Sequence, residues 1–85
     1  MNYSILRLPK TLEKSGYSRS GLYQRIAEGL WTRPVPIGLR AVGWPDFEVS
    51  ALNAACIAGK SQSEIKELVN QLHNKRAECL ASLLP

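Results

Sequence analysis

Apolar residues recur at helical spacing near the start of the chain. Leu8 and Leu12 lie four residues apart, so both fall on one face of a helix. Pro9 is tolerated in the first turn, where its missing amide is not needed, and Gly16 suits the left-handed end of a helix. The pattern predicts a first helix of about two turns, preceded by a short extended segment at residues 5–8.

A second helix is indicated by Leu22 and Ile26, which repeat the four-residue spacing. Ser18 can cap it by accepting from the free amides of its first turn, and Gly29 marks its end. Residues 16–18 are all that separates it from the first helix. Two short helices joined in this way are typical of a helix-turn-helix, whose second helix enters the major groove of DNA.

Residues 33–44 have the pattern of two short extended segments around a turn at residues 38–40. Pro34 and Pro36 lack an amide donor, so the first segment should be an edge strand. This pattern predicts a two-stranded wing with Arg40 at its tip. The expected fold is therefore mainly α with a small β-hairpin wing, that is, a winged helix-turn-helix.

Two further helices are predicted in the second half of the chain. Pro45 should open a third helix, with Asp46 and Glu48 favourable to its N-terminal dipole. Ser61 and Glu64 then have the spacing of a capping box. Beyond them, apolar side chains recur on one side of a fourth helix: Ile65, Leu68, Val69, Leu72, Cys79, Leu80 and Leu83.

The fourth helix determines the domain organisation. At about 20 residues it would be about 30 Å long, which is more than so small a core can cover. Its far end can either dock on the same chain or pack on a second subunit, and both alternatives stay open. We divide the chain into a winged helix-turn-helix at residues 1–59 and a C-terminal helix, for docking or oligomerisation, at residues 60–85.

Composition and charge indicate one domain with a basic first half. The 85 residues are 45% hydrophobic, which is enough for one modest core. Residues 1–44 carry seven cations and two acids, a net charge of +5, whereas residues 45–85 come to −1. A polyanion should therefore meet the N-terminal half. A solvated basic surface is the alternative, because the net charge of the whole chain is only +4.

The chain lacks the residue patterns of an enzyme or a metal site. It has one histidine, no phosphate-binding glycine loop and no metal-ligand spacing, so we expect no catalytic activity, cofactor or metal. His73 should be an exposed helix residue. Cys56 and Cys79 lack a CxxC pattern and should be reduced core residues, and Trp31 and Trp44 should also lie in the core. No apolar run approaches the roughly 20 residues that cross a membrane, so we expect a cytoplasmic protein with no membrane partner.

The second helix carries the candidate contacts to DNA. Opposite Leu22 and Ile26, at about 100° per residue, lie Ser20 and Gln24, whose side chains can hydrogen-bond base edges. Polar residues on its flanks and on the wing suit phosphate oxygens. The predicted DNA-binding residues are Ser18, Arg19, Ser20, Tyr23, Gln24, Arg25, Arg33 and Arg40. The alternative is that these side chains only solvate an amphipathic helix.

Six short segments also occur in a characteristic order and spacing: Leu6-Arg-Leu-Pro9, Gly16-Tyr-Ser-Arg-Ser20, Leu22-Tyr23, Ile26-Ala-Glu-Gly29, Arg33-Pro-Val35 and Arg40-Ala-Val-Gly-Trp44. Over roughly residues 5–58, they resemble the AlpA family of phage and mobile-element regulators. The resemblance implies a winged helix related to the MerR-type and excisionase DNA-binding domains. The chain departs from the family pattern at Gly21, where Thr or Ser is usual, at Pro36 in the wing, and at Leu52, where Trp is frequent.

The same resemblance implies a sequence-specific DNA-binding transcriptional regulator of a phage-derived or integrative mobile element. One alternative is an excisionase, or recombination directionality factor, which bends attachment-site DNA and promotes excision by an integrase. A second is a protein-interaction module that uses the winged helix to bind a protein. The expected partner is double-stranded DNA. Two modes of self-association stay open, a homodimer and a cooperative head-to-tail assembly on DNA.

Overall fold

The computed structural model describes residues 3–84 as four helices and a small sheet. In chain order the elements are β1 (Ile5–Arg7), α1 (Leu8–Ser15), α2 (Arg19–Ala27), β2 (Val35–Gly38), β3 (Ala41–Pro45), α3 (Asp46–Ile57) and α4 (Gln62–Leu83). This arrangement of mostly helical elements around a small antiparallel sheet confirms the predicted winged helix-turn-helix with a C-terminal helix.

The two helices of the helix-turn-helix end and begin as the sequence predicts. Gly16 has a φ of 78°, and its amide donates to the Leu12 carbonyl at 2.9 Å, which closes α1 in a left-handed cap. The Ser18 side chain accepts from the Gly21 amide at 3.1 Å and caps α2. These local bonds fix the tight turn that sets the angle between the helices.

The sheet contains the predicted hairpin and a third strand, β1, that joins it. The sheet has the order β1-β3-β2, with both pairs antiparallel, so β3 is the central strand and β2 an edge strand. Leu6 pairs with Trp44, and Val35 pairs with Gly43. The edge position of β2 is as predicted. The predicted hairpin is confirmed as β2 and β3, whereas the pairing of β1 with β3, between residues almost forty positions apart, was not predicted.

The core lies between the helix-turn-helix, the sheet, α3 and the first half of α4. Trp31 and Trp44, both predicted to be core residues, are confirmed at 1% and 0% exposure. Ile65, Val69 and Leu72 bring α4 into the same apolar cluster. The apolar stripe of α4 then continues beyond the core.

Three expectations about single residues are wrong. Cys56 is exposed rather than buried, because it lies with Ile57, which is 87% exposed, on the side of the last turn of α3 that faces away from the core residue Ala55. Cys79 is only half-buried, since it lies in the half of α4 that extends beyond the apolar cluster. His73 is half-buried rather than exposed, because its Nε2 accepts the Arg33 backbone amide at 3.1 Å. No helix between residues 3 and 84 is long and apolar enough to span a membrane.

Candidate nucleic-acid interface

Helix α2 is held so that one face is buried and the other is open. Leu22 is fully buried, and the Tyr23 ring meets the Trp44 ring edge-on, with 6.4 Å between centroids. On the opposite face Ser20 and Gln24 are exposed, as the helical spacing predicts. Packing on β3 therefore fixes the helix while its two candidate base-reading side chains remain free to meet a ligand.

A groove of about 380 Å³ lies between α2 and the wing, and we call it the α2–wing groove. Arg19 and Tyr23 line it from α2, and Arg40 lines it from the turn of the wing. The structure thus brings together three of the predicted site residues. Its complete lining is Arg7, Leu8, Pro9, Arg19, Tyr23, Arg40, Ala41 and Val42.

Arg7 is a groove residue that the sequence pattern did not predict. The pattern places Arg7 only in the basic half of the chain, because it does not predict that β1 joins the wing. In β1 the side chain of Leu6 is half-buried and that of Arg7 is exposed, as expected from the alternation of a strand. The signal that could have identified Arg7 is the change from apolar Leu6 to charged Arg7 just before the helix start at Pro9. In a short strand this change places Leu6 towards the core and Arg7 towards solvent.

The α2–wing groove carries uncompensated positive charge. Among residues 3–84, Arg7, Arg19 and Arg40 form no ion pair with a carboxylate. Its lining contains three arginines and no acidic residue. Strand β1, helix α2 and the turn of the wing therefore each bring an arginine to the lining of one space, which suits a ligand with several anionic oxygens.

The turn that carries Arg40 has an unusual backbone. Arg40 has a φ of 58°, in the left-handed region that non-glycine residues seldom adopt. It follows Leu39, which is 96% exposed at the tip of the wing. The turn therefore holds Arg40 in the lining of the α2–wing groove.

Arg25 occupies the other flank of α2 and is differently constrained. Its guanidinium carbon lies 5.1 Å from the centroid of the Tyr17 ring, and its Nε is buried without a hydrogen-bond partner in the part of the chain that is described. Burial raises the pKa of the Tyr17 hydroxyl above 10.0, although the charge of Arg25 acts in the opposite direction. A neutral Tyr17 ring thus supports one face of the guanidinium.

The two remaining predicted residues, Ser18 and Arg33, lie outside the α2–wing groove. The Ser18 hydroxyl is 3.4 Å from that of Ser20 and accepts from the first turn of α2. Arg33 lies at a separate cleft that Lys66 and His73 also line. Its Nη1 is 3.4 Å from His73 Nδ1. Arg33 is therefore positioned by α4 rather than by α2.

Comparison with known proteins finds similarity to a prophage regulatory family and to a phage protein. Residues 4–56 match the family described as prophage CP4-57 regulatory protein (AlpA). A protein of Enterobacteria phage P4, named uncharacterized protein ORF88, is 37% identical over 58 residues, which make up 68% of this chain. The match spans 66% of the phage protein, which is less than two thirds of its length. No solved structure matches.

Proposed function

This chain belongs to the AlpA family, and from that premise we propose that it is a sequence-specific, DNA-binding transcriptional regulator of a phage-derived or integrative mobile element. The observation that carries the proposal is the α2–wing groove. Arg7, Arg19 and Arg40 converge there from three elements, next to a helix whose outer face carries exposed Ser20 and Gln24. A basic groove flanking an exposed polar helix suits duplex DNA, since the arginines can meet phosphates while the helix meets base edges.

The dimensions of α2 suit insertion into the major groove. Its nine residues span about 14 Å at 1.5 Å per residue, and the major groove of DNA is about 12 Å wide. With α2 inserted, Gln24 would offer a donor and an acceptor to adenine, and Ser20 would bond a neighbouring base edge. Arg7, Arg19 and Arg40 would bind phosphate oxygens and fix the register.

Other predicted residues have secondary parts in this proposal. Ser18 would donate its hydroxyl hydrogen to a phosphate while its lone pairs keep accepting from α2. Tyr23 would use its hydroxyl in the same way from within the α2–wing groove. Arg25, with one face packed on Tyr17, would present its outer nitrogens to the opposite strand. Arg33 would support the wing.

The family description favours a regulator over an excisionase, because it names a regulatory protein. An excisionase would use the same α2 and wing, so the two functions share an interface and differ in what the bound DNA does. A protein-interaction module would not require unpaired arginines to converge on a groove. The α2–wing groove therefore favours DNA over a protein as the ligand.

Salt titrations with charge-matched variants test the proposal. Binding of the full chain to a short mixed-sequence duplex should weaken with salt, with a log–log slope of roughly −3 to −4 from the contacts of four arginines, Arg7, Arg19, Arg25 and Arg40. Arg19→Gln and Arg40→Gln should each make that slope shallower by about one. Lys75→Gln removes the same charge from an exposed position on α4 and should leave the slope unchanged. Equal effects from all three variants would contradict a DNA-binding role for the groove.

A further inference from the structure

A buried carboxylate joins α3 to α4. The sequence places Glu48 in the first turn of α3, where it was expected to serve the helix dipole, but the residue is fully buried. Arg76 meets it with two parallel hydrogen bonds, Nε to Oε2 at 2.7 Å and Nη2 to Oε1 at 2.8 Å. This paired geometry fixes the plane of the Arg76 guanidinium, because both carboxylate oxygens are engaged at once.

The fixed guanidinium also reaches the backbone that leads into the wing. Arg76 Nη2 donates to the carbonyl oxygen of Arg33 at 2.7 Å. One helical turn earlier on α4, His73 Nε2 accepts the amide of the same residue at 3.1 Å. Side chains of α4 therefore hold both backbone polar groups of Arg33. We call His73 and Arg76 together the α4 brace.

The segment after Arg33 is stiff enough to transmit its position. Pro34 follows immediately, and its ring fixes its own φ and restricts the backbone of Arg33. Strand β2 then begins at Val35 and contains a second proline, Pro36. Since β2 is an edge strand paired only with β3 in the described sheet, its free side has no other strand to hold it. β3 holds one side of β2, and Arg33 holds the backbone that leads into β2, so Arg33 is one of the two anchors that set the position of Arg40.

We infer that Arg76 is a positioning residue for the wing, and that the α4 brace sets the distance between Arg40 and α2 that DNA binding requires. The inference rests on the proposed function. It assigns a role in DNA recognition to a helix that lies outside the family match at residues 4–56. Arg76 itself would touch no DNA, since its guanidinium is already shared between Glu48 and Arg33.

Two variants loosen the brace in different ways. Arg76→Lys keeps a cation beside Glu48, but a single ammonium lacks the planar fork that serves Glu48 and Arg33 together. His73→Phe leaves the Glu48–Arg76 pair intact and removes both imidazole nitrogens that face Arg33, the acceptor of its amide and the neighbour of its Nη1, so it should fold even if the first variant does not. Lys75→Gln is the control on the same helix. In the folded brace variants, the Arg33 amide should exchange its hydrogen faster than in the parent and the control.

A double-mutant cycle separates positioning from a general loss of structure. In the parent, Arg40→Gln and Arg19→Gln should each weaken binding to a mixed-sequence duplex at low salt by about threefold to tenfold. In a brace variant, Arg40→Gln should weaken duplex binding by less than about twofold, because the wing is already displaced. Arg19→Gln should weaken it as much as it does in the parent. An unchanged cost of Arg40→Gln in the folded brace variants would overturn the inference. If neither arginine matters in the parent, the proposed function fails instead.

Discussion

The indole nitrogen of Trp44 donates a 2.8 Å hydrogen bond to the carbonyl oxygen of Thr32, and both residues are fully buried. This bond joins the central strand of the wing to the segment that leaves α2. It therefore fixes the wing at a point just before the α4 brace holds Arg33. A buried carbonyl without a donor is costly, so Trp44 contributes both its volume and its hydrogen bond.

Replacing Trp44 with Phe should destabilise the protein by about 2–4 kcal/mol, because it leaves a cavity and an unpaired carbonyl at Thr32. Urea denaturation followed by circular dichroism measures the loss. Trp31→Phe is the matched control, since Trp31 is equally buried but its Nε1 has no partner in residues 3–84. The control should lose less stability, and equal losses would mean that the Trp44 hydrogen bond contributes nothing.

Features that depend on neighbouring residues could be predicted from the sequence, whereas features that depend on distant pairing could not. The left-handed end at Gly16 and the Ser18 cap each follow from a few adjacent residues. Leu22 could be assigned to the core and Gln24 to the exposed face, because two residues at about 100° each place them on nearly opposite sides of the helix. Periodicity and capping chemistry therefore identified the helix that carries the candidate site.

The missed features all join residues that are far apart in the chain. Arg7 entered the α2–wing groove only because β1 pairs with β3, and a three-residue strand is too short to show that in its pattern. Glu48 and Arg76 are 28 positions apart, and neither helical pattern indicates that their charges meet in a buried site. Local sequence gives each residue its face, but the partner on that face depends on how the elements pack.

Gly43 is the residue that permits the β1–β3 pairing. A Cβ there would fall 2.9 Å from the carbonyl oxygen of Leu6 and would collide with the side chain of Ile5. Gly43→Ala should therefore push β1 away from β3 and lower stability by about 1–3 kcal/mol, with a matching loss of wing order. Gly38→Ala is the control in the same hairpin, because its Cβ would meet Ala41 at an ordinary 3.9 Å. Equal stability of the two variants in urea would contradict the close approach.

Substitutions of Ser18 separate its capping role from its proposed contact with phosphate. Ser18→Ala removes the cap of α2 and should cost about 1 kcal/mol in stability. Ser18→Asp keeps a capping oxygen and favours the helix dipole, so thermal stability should be retained or raised. Its negative charge should nevertheless weaken DNA binding more than the alanine variant does. Unchanged affinity of the aspartate variant for a duplex would show that Ser18 does not face the DNA backbone.

The pKa of His73 lies below its ordinary value of 6.5, first because of desolvation and then because of the nearby charges of Arg33 and Arg76, which outweigh that of Glu48. In the unfolded chain His73 takes up a proton more readily. Its neutral form therefore contributes stability that is fully present above pH 6.5 and is lost as the pH falls through the lower pKa of the folded state.

Urea midpoints measured between about pH 5 and pH 7.5 should fall on the acid side in the parent, because protonated His73 can no longer accept the Arg33 amide. His73→Phe should remove the part of this dependence that comes from the imidazole. The same profile in parent and variant would mean that another group is responsible. The carboxylate of Glu64 is not expected to interfere, since the capping bonds to Ser61 hold its pKa below 4.5.

Gln24 offers the sharpest test of base reading. It is exposed at the centre of the outer face of α2, so replacing it with Ala removes polar atoms without disturbing the core, and Ala is a strong helix former. If Gln24 bonds adenine with both its donor and its acceptor, Gln24→Ala should weaken binding to a duplex selected by the parent protein by about 1–3 kcal/mol. Binding to a mixed-sequence duplex should change little, because phosphate contacts dominate there.

Gln62→Ala, at the start of α4, is the control and should change neither affinity. A similar loss on both duplexes would assign Gln24 to the DNA backbone and leave Ser20 as the candidate base reader on α2.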